Sequence, residues 1–158
     1  MDLQKILVAI DFSPDSDHAI DAALTLARSE RSKIVLLHVC EPPPYSTPEL
    51  GMYVPSPELM VDVLTRARRQ LDRYRARCAA NGADVDVVCI PMGFVADEIV
   101  DYASTHDFDL IVVGSHGRRG LRRFMLGSVA EKVVRTADRP VLTVHPHDVA
   151  LAATASAV

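Results

Sequence analysis

Ile6-Leu7-Val8-Ala9-Ile10 runs directly into Asp11-Phe12-Ser13-Pro14, and Ile34-Val35-Leu36-Leu37-His38-Val39-Cys40 runs into Glu41 and three prolines. Each is an apolar run stopped by turn-forming residues. A strand with one wet face alternates apolar and polar residues. A strand covered on both faces reads as a continuous run, so the two segments predict buried strands of a parallel sheet. Between them, from Asp15 to Ser29, Ile20, Ala23, Leu24 and Ala27 recur at helical spacing. Ser13 or Asp15 is available as the N-cap and Pro14 suits the first turn. The unit is strand, helix, strand.

The alternation continues outward. Residues 41–57 hold six of the ten prolines, with a glycine and two tyrosines, and predict a long loop. From Pro57 to Ala80, Met60, Leu64, Ala67, Leu71, Tyr74 and Cys78 mark one helical face, and Asn81-Gly82 is a C-terminal stop. Val85–Ile90 is a third strand, Ala96–Thr105 a third helix with Ile99, Val100 and Ala103 inward, and Leu110–Val113 a fourth strand. Ser128–Ala137 is a fourth helix and Val141–Val144 a fifth strand, with Pro140 tolerated because it stands first. Five strands alternating with four helices predict an α/β fold, a doubly wound parallel sheet with right-handed crossovers. Ligands of such sheets bind at the C-terminal ends of the strands, here Asp11, Val39-Cys40, Pro91-Met92 and Gly114.

Composition agrees with a globular chain. Of 158 residues 49% are hydrophobic and 24% charged, which excludes disordered, collagenous and disulfide-scaffold classes. One domain is expected over residues 1–147, with 148–158 an alanine-rich flexible tail. The formal net charge of -4 argues against a surface built for nucleic acid or membrane, and the absence of tryptophan leaves little for base stacking. Cys40, Cys78 and Cys89 form an odd set without a C-x-x-C, which fits a reducing compartment. The run Ile6–Ile10 is too short for a signal-peptide core or a membrane span, so a cytoplasmic location is expected.

The segment that carries chemistry is Gly114-Ser115-His116-Gly117-Arg118-Arg119-Gly120-Leu121-Arg122-Arg123-Phe124-Met125-Leu126-Gly127-Ser128. It follows a buried strand and opens a helix. Glycines let backbone N–H groups face an anion, and a helix N-terminus adds free donors and the positive end of its dipole. Phosphate oxygens are expected against Gly117, Gly127, Ser128 and Val129. His116 and Arg118 line that loop, and the nucleoside end lies nearer Gly114 and the end of the first strand at Ala9 and Ile10. The segment is not a P-loop, because Gly-x4-Gly-Lys-Ser/Thr is absent, and Gly-x2-Gly-x2-Gly is not the Rossmann fingerprint.

Gly114, Gly117, Gly127 and Ser128 fill every defined position of Gly-x2-Gly-x9-Gly-Ser/Thr. On that motif the chain resembles the universal stress protein family, in its ATP-binding branch, over about residues 3–146. The resemblance implies a Rossmann-like sheet in strand order 3-2-1-4-5, of the adenine nucleotide alpha hydrolase-like kind. It implies ATP bound with Mg2+ or Mn2+, the cation held through the phosphates and not by a protein cluster. It places Asp11 near the nucleoside and the backbone of Val39 against the adenine. It also implies a homodimer joined through the fifth strand, Val141, Leu142, Thr143 and Val144. That strand is short, apolar and at a sheet edge, where unpaired backbone groups invite a second copy.

Other residues have simpler readings. Asp11 also suits a helix start beside Ser13. Ser115 and His116 suggest a hydrolase, but adjacent side chains are not expected to face each other and no orienting third residue is evident. His145 and His147 are an H-x-H pair in a solvated tail, and Cys40 is a small packing residue near the adenine position. Arg66, Arg68, Arg69, Arg73, Arg75 and Arg77 of the second helix form a solvated face. The function expected is a nucleotide-dependent regulatory or stress-response module without dedicated catalysis. The alternatives are a slow ATPase or nucleotidyl-transferring enzyme, and a cyclic-AMP- or AMP-binding member of the same family.

Overall fold

The computed structural model describes residues 3–41, 56–116 and 126–145. Gly117, Arg118 and the other arginines of the glycine loop, His147, the tail 148–158 and nearly all of the proline-rich segment lie outside the described residues. The elements run β1 (Lys5–Ala9), α1 (Pro14–Glu30), β2 (Lys33–Val39), α2 (Pro57–Ala80), β3 (Val85–Ile90), α3 (Val95–Thr105), β4 (Leu110–Gly114), α4 (Ser128–Thr136) and β5 (Val141–Val144). The strands form one parallel sheet in the order β3-β2-β1-β4-β5. This is the doubly wound arrangement expected.

The unbroken apolar runs have their cause in two separate cores. Ile6, Val8, Ile34, Leu36, Leu110 and Val112 face α1 and α2 with Ile20, Leu24 and Leu71. Leu7, Val35, Leu37, Ile111 and Val113 face α3 and α4 with Ile99 and Val133. Successive strand residues therefore enter opposite cores, and each fully buried Ile or Leu contributes about 1.5–3 kcal/mol. The outer strands differ: β3 is only half-buried apart from an exposed Asp86, and β5 buries Val144 alone.

Local chemistry sets the helix ends. Ser13 caps α1, its Oγ 3.4 Å from the N–H of Ser16, and Pro14 stands at the first helical position. Ser56 caps α2 in the same way, accepting from the N–H of Leu59 at 3.3 Å. That helix stops at Gly82, with φ +78°. The Gly82 N–H reaches the Ala79 carbonyl at 2.9 Å and the Ala83 N–H reaches the Cys78 carbonyl at 3.3 Å, the Schellman pairing. Arg77 joins the two helices, with its two terminal nitrogens 2.7 Å from Asp17 and 2.6 Å from Asp21.

Several element boundaries shift by one residue. The first strand was expected at Ile6–Ile10, but β1 ends at Ala9. Ile10 still donates to the Leu37 carbonyl at 2.9 Å, and the chain then turns into α1 through Phe12, whose φ is +65°. Asp109, just before β4, accepts from the N–H groups of Gln4 and Lys5 at 2.9 and 2.8 Å and so fixes where β1 begins.

Candidate functional site

β1 is flanked by β2 on one side and β4 on the other. The winding direction therefore reverses between β1 and β4, and their C-terminal ends bound the crevice in which such sheets hold ligands. Ala9, Ile10 and Asp11 form one wall. Gly114 and His116 form the other.

The first wall is tied internally. Asp11 Oδ1 accepts from the Ser13 N–H at 3.0 Å and from the Ser16 hydroxyl at 2.7 Å, and the Asp11 N–H donates to Ser16 Oγ at 2.9 Å. Asp11 thus does brace the start of α1, one of the two roles its position suggests. Phe12 stands in the left-handed region, which costs a non-glycine residue about 1–2 kcal/mol. Its ring is held 4.3 Å from that of His38 and 6.0 Å from that of Tyr74. His38 is buried on β2 with Nδ1 2.8 Å from the Ile10 carbonyl, so Nδ1 carries the proton. Burial, and after it the Asp17 carboxylate, pushes the Tyr74 phenol up and keeps it neutral.

The second wall depends on close approach. A Cβ on Gly114 would lie 2.9 Å from Asp15 Cβ and 3.0 Å from the Asp15 carbonyl carbon and oxygen, so the first turn of α1 can meet the end of β4 only at a glycine. Asp15 Oδ2 accepts from the His116 N–H at 3.0 Å. The Ser115 N–H donates to the Val144 carbonyl of β5 at 2.9 Å, and the Ser115 carbonyl accepts from Gly127 at 2.8 Å. That last bond holds the N-terminus of α4 beside the end of β4. Gly127 is the N-cap and provides no side-chain hydrogen bond. Helix geometry leaves the N–H groups of Ser128, Val129 and Ala130 without an intrahelical acceptor.

The expectation for Ser115 and His116 is corrected. Ser115 Oγ lies 3.0 Å from His116 Nδ1, so the adjacent side chains do meet, and a third residue is present because Asp15 Oδ2 is 3.5 Å from the same nitrogen. The arrangement is still not a triad. A triad uses the two ring nitrogens for different partners, whereas here hydroxyl and carboxylate crowd Nδ1, and Ser115 is 2% exposed. The His116 ring packs edge-on against His145, with centroids 5.1 Å apart.

Among the expected site residues, Ala9, Ile10, Asp11, Gly114, His116, Gly127, Ser128 and Val129 gather around the β1–β4 crevice. Val39 lies at the end of β2, the strand next to β1. Sequence reasoning did not single out Ser16, and it named Asp15 only as a cap and Ser115 only as a nucleophile, not as parts of the crevice wall. Asp15 carried a signal as a candidate cap, but its partners lie a hundred residues away. Among the described residues no group of three His, Cys, Asp or Glu side chains is placed to hold a metal, and no helix is long and apolar enough to cross a membrane.

Comparison with known proteins places this geometry. The family model for the universal stress protein family matches residues 2–145. Universal stress protein YxiE of Bacillus subtilis is 35% identical over 145 residues, covering 89% of this chain and 97% of YxiE. The structure of MJ0577, a universal stress protein of Methanocaldococcus jannaschii, superposes with a TM-score of 0.80 at 27% identity, covering 92% of this chain and 97% of that one. A universal stress protein crystallised in complex with cAMP superposes with a TM-score of 0.69 at 25% identity, covering 92% and 99%. With the match running from the start of the described fold to the end of β5, the chain belongs to the universal stress protein family.

Proposed function

We propose that this chain binds an adenine nucleotide in the crevice between β1 and β4, with ATP and a divalent cation (Mg2+ or Mn2+) as the preferred ligand, and acts as a nucleotide-dependent regulatory module. The observation that carries the reading is the Gly127 to Ser115 hydrogen bond of 2.8 Å, which holds a helix N-terminus without a side-chain cap beside the end of β4. Such an end favours phosphate through its free N–H groups and its dipole. Gly114, Gly117, Gly127, Ser128 and Val129 would receive the phosphates, with His116 and Arg118 alongside. Ala9, Ile10, Asp11 and Val39 would receive the nucleoside. The cation would travel on the phosphates.

The complex of a structural relative with cAMP supports the same ligand class and favours a second reading, preference for a cyclic nucleotide or AMP. Calorimetric titration with ATP, AMP and cyclic AMP, each with and without Mg2+, separates the two. The ATP reading expects the tightest binding for ATP and a gain on adding the cation. Tighter binding of cyclic AMP or AMP supports the second reading, and no heat with any of the three overturns both. Single-turnover hydrolysis of bound ATP tests the slow ATPase alternative, which requires turnover that Gly117→Ala abolishes. We further propose a fold unit over residues 1–147, a cytoplasmic location and a homodimer through β5.

A further inference from the structure

Two of the three cysteines meet where β2 ends beside β3. Cys40 directly follows β2 and Cys89 lies in β3, with Sγ atoms 3.9 Å apart, at the contact distance of two sulfurs. The strands beneath them are in register, His38 opposite Cys89 and Val39 opposite Ile90, and the Cys40 N–H donates to the Ile90 carbonyl at 3.0 Å. The pairing of β2 with β3 therefore holds the thiols together without a bond between them. Cys40 is 5% exposed, whereas Cys89 lines a cavity of about 210 Å3 with Val87 of β3 and Arg68, Leu71 and Asp72 of α2. A small oxidant has room to reach one sulfur of the pair, and the other stands directly behind it.

We propose that Cys40 and Cys89 are a modification site, a thiol pair that a hydroperoxide oxidises to a disulfide tying the end of β2 to β3. Cys89 loses its proton and attacks the peroxide O–O bond. The sulfur gains an OH group as a sulfenic acid, and the other oxygen departs and takes up the proton as an alcohol or water. Cys40 then attacks the Cys89 sulfur. The S–S bond forms, and the OH group leaves with the Cys40 proton as water. Two thiols give up two electrons, and the O–O bond accepts them. The sulfurs must close from 3.9 Å to about 2.05 Å, a movement that rotation of two side chains at strand ends can share. Burial, and after it the neighbouring Cys40, pushes the Cys89 thiol up to about 12, while Arg68 on the cavity wall works in the opposite direction. Thiolate is the attacking form, so the first step is slow and the pair responds to sustained oxidation. The pair's assignment uses no nucleotide contact, although Cys40 directly follows Val39.

The wild-type chain is exposed to hydrogen peroxide, alkylated in denaturant with N-ethylmaleimide and digested without reductant for peptide mass spectrometry. The expected product is a Cys40–Cys89 linked peptide lighter by two hydrogens, lost on treatment with dithiothreitol, with Cys78 alkylated throughout. Alkylation of both Cys40 and Cys89, over-oxidation of Cys89 without a link, or a link through Cys78 overturns the proposal. In Cys40→Ser the sulfenic acid is stranded on Cys89 and expected to be captured by dimedone; no label there overturns the assignment of Cys89 as the attacking sulfur.

Discussion

The backbone N–H of His116 donates to the Asp15 carboxylate at 3.0 Å, joining the first turn of α1 to the exit of β4 across 101 positions of sequence. Both side chains are largely shielded from solvent, at 16% and 14% exposure. Asp15→Ala leaves the His116 N–H without this acceptor. The expected loss is about 1–3 kcal/mol, the range for a shielded bond to a charged group, and a fall in Tm of about 2–4 °C for each of those kcal/mol. Urea denaturation checks the first figure and a thermal scan the second. Unchanged stability would mean that solvent replaces the carboxylate freely.

Gly114 and Gly93 form a matched pair. Alanine at Gly114 drives a methyl group into the Asp15 backbone at 3.0 Å, which cannot move without displacing α1. About 1–3 kcal/mol of destabilisation is expected from such overpacking, with weaker nucleotide binding alongside. Alanine at Gly93 first meets the side chain of Glu98, whose Cγ, Cδ and Oε1 would lie 2.4, 2.7 and 2.5 Å away, so a side chain and not a backbone must shift. Gly93→Ala is therefore expected to cost less than Gly114→Ala, because rotation of the Glu98 side chain can relieve part of the clash. Comparing the two urea midpoints tests whether backbone contact, and not loss of glycine as such, decides the outcome.

How far these contacts were legible beforehand follows from their range along the chain. The runs Ile6–Ile10 and Ile34–Cys40 announced a two-sided sheet because burial on both faces leaves a local mark, and Ser13, Pro14 and Gly82 announced helix ends because capping acts within a few residues. The glycines at 114, 117 and 127 pointed to the loop because the freedom they confer is also local. Asp15 against His116, Ser115 against Gly127 and Cys40 against Cys89 left no such mark. The Ser115–Gly127 bond closes the loop between β4 and α4, while the other two are made by the order of strands, and only the assembled β3-β2-β1-β4-β5 layout brings their members together. Even Ser115 and His116, adjacent in sequence, face each other because of how β4 ends.

Two left-handed residues make opposite predictions. Gly82 has φ +78° with nothing within 4 Å of the place a Cβ would occupy, so Gly82→Ala tests conformation alone. It is expected to cost about 1–2 kcal/mol. Arg31 ends α1 at φ +59°. Arg31→Gly relieves the same strain, offset by the greater freedom of glycine in the unfolded chain, and a net gain of up to about 1 kcal/mol is expected. Opposite shifts of the denaturation midpoint in the two variants would confirm the cause.

Cys89 gives stability an alkaline limit. Its thiol is raised in the fold to about 12 from the ordinary 9.0. The fold therefore favours the protonated form, and the unfolded chain ionises first as pH rises. The contribution is whole below about pH 9 and is lost progressively between 9 and 12. Cys89 is only half-buried, so solvent screening reduces the effect, and about 0.5–1 kcal/mol is expected to vanish between pH 8 and 10. Denaturation under reducing conditions at both pH values, in wild type and Cys89→Ala, isolates it: the variant should lose less.

The homodimer proposed through β5 is testable at that strand's outer edge. The Pro140 and Val144 carbonyls point toward β4, accepting from Ile111 and Ser115 at 2.9 Å each. Strand alternation therefore turns the backbone N–H and C=O of Val141 and Thr143 toward the outer edge, where a second copy of β5 would pair. Thr143→Pro removes one outward donor while sparing every bond to β4, and edge strands tolerate proline for that reason. The wild-type chain is expected to sediment as a dimer at tens of micromolar, and the variant as a folded monomer or a more weakly associating dimer. A wild-type monomer would remove β5 as an interface. A dimer unaffected by the proline would place the interface elsewhere, and Val134, exposed on the neighbouring α4, is the residue to substitute next.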